Sequence, residues 1–252
     1  MKEFIGLIPT SAPFKLLSTY HIAAMSIILG INLLVILFRK NLQAENINKF
    51  FRYFMAIILL LDEILLQIWH ISIGDWSLTV TLPLHLCGVA VFLCIIMLFT
   101  KSFSIYEVAY FWGLAGALQA ILTPDLTIYN FPHFRFLQFF LSHGLIITSV
   151  IFMTFVHDYR PTLKSIFKTF KITNLYLAFI IFFNLLTGAN YLFICKKPAT
   201  VSLLSYLGPW PWYILSLELV AMLFFIVFYL PFIINDFINK KQSEKDKESF
   251  SL

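Results

Sequence analysis

The chain has 252 residues, of which 60% are hydrophobic and only 12% charged, with a formal net charge of +5. Soluble domains carry charge on about a quarter of their residues, so this composition excludes an ordinary soluble enzyme and points to an integral membrane protein. The positive balance calls for no nucleic-acid partner: basic residues beside a membrane are drawn to anionic headgroups, and no basic-aromatic patch is present.

The apolar residues gather into runs of the roughly 20 residues that cross about 30 Å of hydrocarbon. Residues 1–18 read as a short extracytoplasmic segment, in which Met1-Lys2-Glu3-Phe4 leads to an apolar stretch stopped by Pro9. That stretch is too short for a cleavable signal, so the first long run is expected to direct insertion. Seven runs occupy residues 19–235: Thr19 to Phe38, Phe51 to Ile71, Leu78 to Phe99, Phe103 to Leu122, Phe136 to Val156, Ile172 to Ala189 and Trp212 to Ile234. They are continuous rather than alternating, which favours helices over a barrel. The predicted fold is an all-α bundle of seven transmembrane helices, followed by a polar tail over 236–252 that is expected to be disordered. No internal repeat is evident.

Lysine and arginine set the orientation, because positive loops stay in the cytoplasm. The first, third and fifth loops and the tail hold 13 basic residues, from Arg39 to Lys247, whereas the other face holds five: Lys2, Lys15, Arg135, Lys196 and Lys197. The N-terminus is therefore predicted outside and the C-terminus in the cytoplasm, as befits a multi-pass protein of the cell membrane.

In the second run Glu63, Gln67 and His70 recur at helical spacing and share one face, turned into the bundle. The third contains Leu82-Pro83-Leu84-His85-Leu86-Cys87-Gly88, where Pro83 is expected to open the helix and set Cys87 about one turn deep. With Cys94 and Cys195 the cysteine count is odd, which argues against a disulfide framework. A free cysteine in an apolar helix is usually a small buried hydrophobe. Cys87 differs in standing near a helix N-terminus, which favours a thiolate nucleophile. His85, two residues away, points to nearly the opposite side and is a poor base for that sulfur.

The fourth run carries Ala109, Gly113, Gly116, Ala117 and Ala120, a small-residue stripe suited to close helix approach. Gln119 and Asp125 stand near its outer end. The fifth carries Phe139-Phe140-Leu141-Ser142-His143-Gly144, with His143 about two turns in, at a depth comparable with Cys87. A histidine within a membrane helix is costly and is a functional candidate by default, and a Cys and His pair is what thiol nucleophilic catalysis requires. Asn190 and Tyr191 close the sixth run, and Gly208-Pro209-Trp210-Pro211-Trp212-Tyr213 opens the seventh with rings suited to the interface. The candidate catalytic pair is Cys87 and His143. His70, His85, Gln119, Asp125, Asn190 and Tyr191, grouped on the same side, are candidate substrate-binding residues.

Several stretches in fixed order carry a resemblance: Pro83-Leu84-His85-Leu86-Cys87, Phe111 to Ala120, Thr123-Pro124-Asp125, Phe139 to Gly144, Gly188-Ala189-Asn190-Tyr191 and Gly208 to Tyr213. They resemble the signature stretches of the YwaF-like bacterial integral membrane family, over nearly the whole chain from Thr19 to Phe232. More distantly the chain is similar to a eukaryotic transmembrane acyltransferase that moves polyunsaturated chains onto ether lysophospholipids with a cysteine nucleophile. It is also similar to membrane threonine hydrolases of fatty-acid esters of hydroxy fatty acids. Cys87 and His143 fall at the matching places, and cysteine rather than threonine at the first of them implies acyl transfer through a thioester.

The leading expectation is a lipid acyltransferase or lipid-ester hydrolase working through Cys87 and His143, on a lysophospholipid or acyl-lipid substrate from the membrane, with no cofactor and no metal. Two alternatives are open. His21, His70, His85, His133 and His143 all fall in or beside the outer half, which suits a metal-dependent hydrolase, although no HxxxH or HExxH pair occurs. A transporter or lipid-binding protein without chemistry is the other, although the odd span count and absent symmetry do not favour an inverted repeat.

Overall fold

Helices form along the apolar runs and stop where capping chemistry replaces them. The computed structural model describes residues 2–7, 12–197 and 206–249, and all regular structure among them is helical; the Pro9 stop lies outside the described residues. α1 (Lys2–Ile5) is one turn, α2 (Thr19–Leu37) is opened by the Ser18 hydroxyl accepting the His21 N–H, and α3 (Arg39–Leu42) follows it. Then come α4 (Glu45–Ser72), α5 (Leu86–Thr100), α6 (Phe103–Leu122), α7 (Phe134–Val156), α8 (Leu163–Thr187) and α9 (Trp212–Ser249), with a 3-10 turn at Tyr191–Phe193 before the last. α6 occupies the predicted run because Lys101, left-handed at φ 53°, ends α5 and the Ser102 side chain caps the next helix. A Thr162 and Ser165 capping box opens α8, and Gly188 at φ 74° closes it in a conformation that favours glycine.

Three expectations are corrected. α4 and α8 begin well before the predicted runs, because their first turns hold helix-compatible polar residues (Glu45, Asn48 and Lys49; Lys164 and Lys168) that a search for apolar runs passes over. α9 continues as far as Ser249, so the tail expected to be disordered is helical over its described part; lysine, glutamate and glutamine are good helix formers and extend a helix already nucleated in the apolar stretch. The largest correction concerns the third run: Leu78 to Phe99 is not one helix, since α5 starts only at Leu86. Among the described residues six helices, α2, α4, α6, α7, α8 and α9, are long and apolar enough to cross a membrane, and α5, with 15 residues, is shorter. It measures ~22 Å against ~30 Å of hydrocarbon.

Residues 77–85 are irregular for local and distant reasons. The Thr81 hydroxyl donates to the Ser77 carbonyl at 2.7 Å and accepts the Ser77 N–H at 3.1 Å, offering the backbone an alternative to the helix, and Pro83 has no N–H to give. Non-helical backbone among apolar helices persists only where protein satisfies its polar groups. Gln67 Nε2 donates to Thr81 O at 3.0 Å, Tyr176 OH to Leu84 O at 2.7 Å and Tyr191 OH to Leu78 O at 2.9 Å, while the same Tyr191 oxygen accepts the Leu82 N–H at 3.0 Å.

The connections gather at two ends. At one, Trp69 reaches Ile5 O, His21 reaches Ile121 O and Phe14 N reaches Thr127 O, beside the 77–85 segment. At the other, Gln43 donates to Val156 O, Arg52 to Leu98 O, Tyr159 to Lys101 O, and Arg160 pairs with Asp236. α6 and α7 are central: α2 and α4 pack on α7, α5 on both, and α8 and α9 on α6. The small-residue stripe does what close approach requires. A Cβ on Gly113 would stand 3.0 Å from Ile146 Cγ2 of α7, and one on Gly116 would stand 3.0 Å from Cys87 Sγ of α5.

His157, which caps α7, shows what the crowded basic end costs. Burial pushes its pKa down to about 4, with the Arg52 and Lys101 charges adding and Asp158 opposing. The unfolded chain takes up this proton near pH 6.5 and the folded chain only near 4, so between those values the unfolded state holds more protons and stability falls as pH falls. A His157→Gln variant should therefore lose less stability than the wild type between pH 7 and 4.5 in a thermal unfolding series. Parallel curves would contradict this assignment.

Candidate functional site

Starting α5 at Leu86 rather than at Pro83 moves Cys87 into the first helical turn, after the N-cap His85. The first intrahelical bond is Val89 N to His85 O, so the N–H groups of Leu86, Cys87 and Gly88 make no backbone hydrogen bond among the described residues. The half-buried thiol thus stands at the positive end of a helix, beside three unspent amide donors, with bare Gly116 opposite.

α5 and α7 run in the same direction, and one contact fixes their register: Cys94 Sγ lies 4.0 Å from Ile146 O. Seven residues toward the N-terminus on each helix lead to Cys87 on α5 and to Phe139 on α7. Phe139 O accepts the hydrogen bond of His143 Nδ1 at 2.7 Å, and the two ring centroids lie 4.2 Å apart with the planes tilted by 33°. Two turns restore nearly the same helical face, so Cys87 and the His143 ring share a level at the same end of parallel neighbouring helices.

Hydrogen bonding separates His143 from His21 and His133. A carbonyl only accepts, so His143 carries its proton on Nδ1 and presents the Nε2 lone pair, to which no described residue donates. His21 and His133 are the reverse: each accepts a backbone N–H at Nδ1 (from Leu17 at 3.0 Å and Arg135 at 3.1 Å) and donates from Nε2 to a carbonyl (Ile121 at 2.8 Å, Gly6 at 3.0 Å). Both are spent on structure. Among the described residues no three His, Cys, Asp or Glu side chains come together as a metal site would require, so the metal-hydrolase alternative has no donor set here.

The predicted substrate-binding residues are dispersed. His85, half-buried, lies 5.4 Å from the Tyr191 ring and 5.2 Å from Phe193, near the thiol. Tyr191 spends its hydroxyl on the 77–85 segment that precedes Cys87, and Asn190 spends its amide on Cys195 N, Lys196 N and Lys196 O in a turn. His70 stands 3.5 Å from the Asp75 carboxylate, while Gln119 and Asp125 are exposed at the end of α6 and in the loop beyond.

A buried polar row between α4 and α7 joins Glu63 and Gln67, which the sequence marks as one face, to Asp62, Gln138 and Arg135, which it does not. Arg135 Nη1 donates to Gln138 Oε1, Gln138 Nε2 donates to Asp62 Oδ2 at 2.9 Å, and Gln67 Nε2 donates to the neighbouring Glu63 at 2.8 Å. Asp62, Glu63, Gln138 and Ser142 are all buried, and Ser142 adjoins His143. The signal was present: Arg135, Gln138 and Ser142 stand at i, i+3 and i+7 on one helix face. On the α2 side of α7 lies an apolar groove of about 430 Å³, lined by Ile27, Ile31, Phe136, Phe140, Leu141 and Thr148 among others.

The sequence model of the TMEM164 family matches residues 16–229, which takes in every helix from α2 to α8 and most of the apolar part of α9. The chain belongs to the TMEM164 family. A protein of Treponema pallidum (strain Nichols), named only as an uncharacterized protein, is 32% identical over 151 residues, covering 60% of this chain. The matched part spans 62% of that relative's length. No solved structure matches the chain significantly. TMEM164 family membership and six apolar helices together make this a multi-pass helical membrane protein.

Proposed function

We propose that this TMEM164 family member is an acyl-transferring enzyme of the cell membrane that uses Cys87 as nucleophile and His143 as base. In this reading α5, extended by the 77–85 segment, completes seven crossings, with the N-terminus outside, the C-terminus in the cytoplasm and Cys87 in the outer half. His143 Nε2 takes the Cys87 proton, and Sγ attacks the carbonyl carbon of an acyl lipid. The tetrahedral intermediate expels the lysolipid oxygen, which recovers the proton from His143. An acceptor hydroxyl, of a second lysolipid or of water, then gives its proton to His143 and attacks the thioester, releasing the thiolate to be reprotonated. The amides of Leu86, Cys87 and Gly88 suit the charge that develops on sulfur and on the carbonyl oxygen. Tyr191, Tyr176 and Gln67 position the segment leading to the thiol, and His85 borders it. The resemblance of the Cys87 and His143 stretches to the ether-lipid acyltransferase pattern supports this reading.

The observation that carries the reading is the His143 tautomer: the histidine level with Cys87 has its Nε2 lone pair uncommitted, whereas His21 and His133 have both nitrogens engaged. In a Cys195→Ser background, which removes the exposed thiol, a lipid-like, thiol-directed acyl probe applied to the purified protein should label the parent and not Cys87→Ser. Removal of the base in His143→Ala should slow labelling about 10²-fold or more. Equal labelling of all three proteins would overturn the proposal.

A further inference from the structure

The end of the bundle away from Cys87 holds a second pocket that the reaction above does not use. It encloses about 290 Å³ between the start of α4, the α5–α6 turn and the end of α7, and its lining includes Asn48, Lys49, Arg52, Lys101, His157 and Glu45. Arg52 is the unusual member, only 5% exposed. Its Nε donates to Asn48 Oδ1 at 2.9 Å, and its Nη1 donates to the Leu98 carbonyl and, at 3.4 Å, to that of Phe99 at the C-terminal end of α5. Nη2 makes no hydrogen bond among the described residues, and no carboxylate pairs with the guanidinium; the ion pairs there are His70 with Asp75, Arg160 with Asp236, and Lys168 with Glu107.

A mostly buried guanidinium without a counter-charge is costly, and here two ammonium groups line the same cavity with Glu45 as the one acid. Positive potential also acts on His157, whose Nε2 is 3.1 Å from the Asn48 oxygen that holds Arg52. Capping α5 accounts for Nη1, and both Lys49 and the Arg52 guanidinium lie over the Tyr53 ring, but a ring face attracts a cation without cancelling its charge. An oxyanion seated between Nη2 and the two Nζ groups would do so, with the planar guanidinium supplying direction and the lysines point charge.

We propose that this pocket binds a phosphate-type oxyanion, borne either by a free phosphate or by an anionic phospholipid headgroup, on Arg52, Lys49 and Lys101. The site is independent of Cys87 chemistry. The test uses the full chain in uncharged detergent micelles and follows thermal unfolding in two arms. In one, inorganic phosphate replaces chloride at constant ionic strength; in the other, phosphatidylglycerol replaces phosphatidylcholine in the micelle. The Lys49→Gln, Lys101→Asn double variant changes two side chains that make no packed core contact, and Asn tolerates the left-handed backbone at 101. Arg52→Gln is the sharper variant, but it also uncaps α5, so the lysine pair decides if it fails to fold.

In the wild type a saturable rise of the unfolding midpoint is expected in at least one arm, with the apparent affinity about tenfold or more weaker in the double variant, as loss of charge-assisted hydrogen bonds implies. A response to phosphate alone assigns the site to a soluble phosphate, and a response to phosphatidylglycerol alone assigns it to a headgroup. No saturable rise in either arm, or the same rise in wild type and double variant, overturns the proposal.

Discussion

Arg135→Leu should be a damaging substitution, costing about 1–3 kcal/mol of stability, as leaving a buried hydrogen-bond acceptor unpaired does. The reason is not the lost contact with Gln138 but what remains. Asp62 and Glu63, adjacent and buried in α4, have amide partners in Gln138 and Gln67, and Arg135 is the cation whose charge reaches both. Removing it leaves two buried acidic groups without the cation that acts on both from a distance, in a region where water compensates poorly. The cause can be separated from general damage to α7 by adding Asp62→Asn: an amide in place of the carboxylate lowers the uncompensated charge, so the double variant should recover a large part of the loss. Denaturation in mixed micelles, followed for the four corners of the cycle, measures the coupling. If Arg135→Leu stays within about 1 kcal/mol of wild type, or Asp62→Asn deepens the loss, the row is not an electrostatic unit.

The same row shows how far the sequence is legible. α6 lies where its run predicts, because Ser102 and Lys101 put the punctuation beside the apolar residues, and the glycine and alanine stripe correctly announces contacts with α5 and α7. Spacing alone puts Glu63, Gln67 and His70 on one face, but it does not mark Asp62, since its partner Gln138 stands 76 residues away and nothing local to α4 names it. The break at 77–85 was hidden for a related reason. Leu78, Val80, Leu82 and Leu84 are as apolar as any membrane helix, and what holds the segment open is Tyr191, more than a hundred residues downstream. A sequence read in windows sees composition and not the distant donor that makes irregular backbone tolerable. His143 was legible as an expensive polar residue, whereas its tautomer, on which the proposed chemistry rests, depends on the Phe139 carbonyl and is visible only in three dimensions.

The second large effect is expected from a single methyl group. Gly88→Ala should destabilise the protein by about 1–3 kcal/mol, the usual cost of overpacking, and should depress labelling at Cys87 far more than that figure suggests. An ideal Cβ at position 88 would lie 2.8 Å from three backbone atoms of Pro83, its Cα, C and O. Backbone cannot yield by rotating a side chain, and the adjoining segment is pinned through Thr81, Leu82 and Leu84 to Gln67, Tyr191 and Tyr176. The first turn of α5 must therefore shift, carrying Cys87 with it, and a displacement of about 1 Å in a reacting group can cost about 10²-fold in rate. Gly116→Ala is a milder companion, because the contact it creates, 3.0 Å, is with Cys87 Sγ itself, which can swing aside: it should alter reactivity with little effect on stability. Gly30→Ala is the control, since its Cβ meets nothing within 4 Å in the middle of α2 and helix propensity alone should make it neutral or slightly stabilising. Comparing unfolding midpoints with labelling rates across the three variants distinguishes displacement of the thiol from loss of fold. A Gly88→Ala protein as stable and as reactive as wild type would mean that the close approach of Pro83 does not hold Cys87 in place.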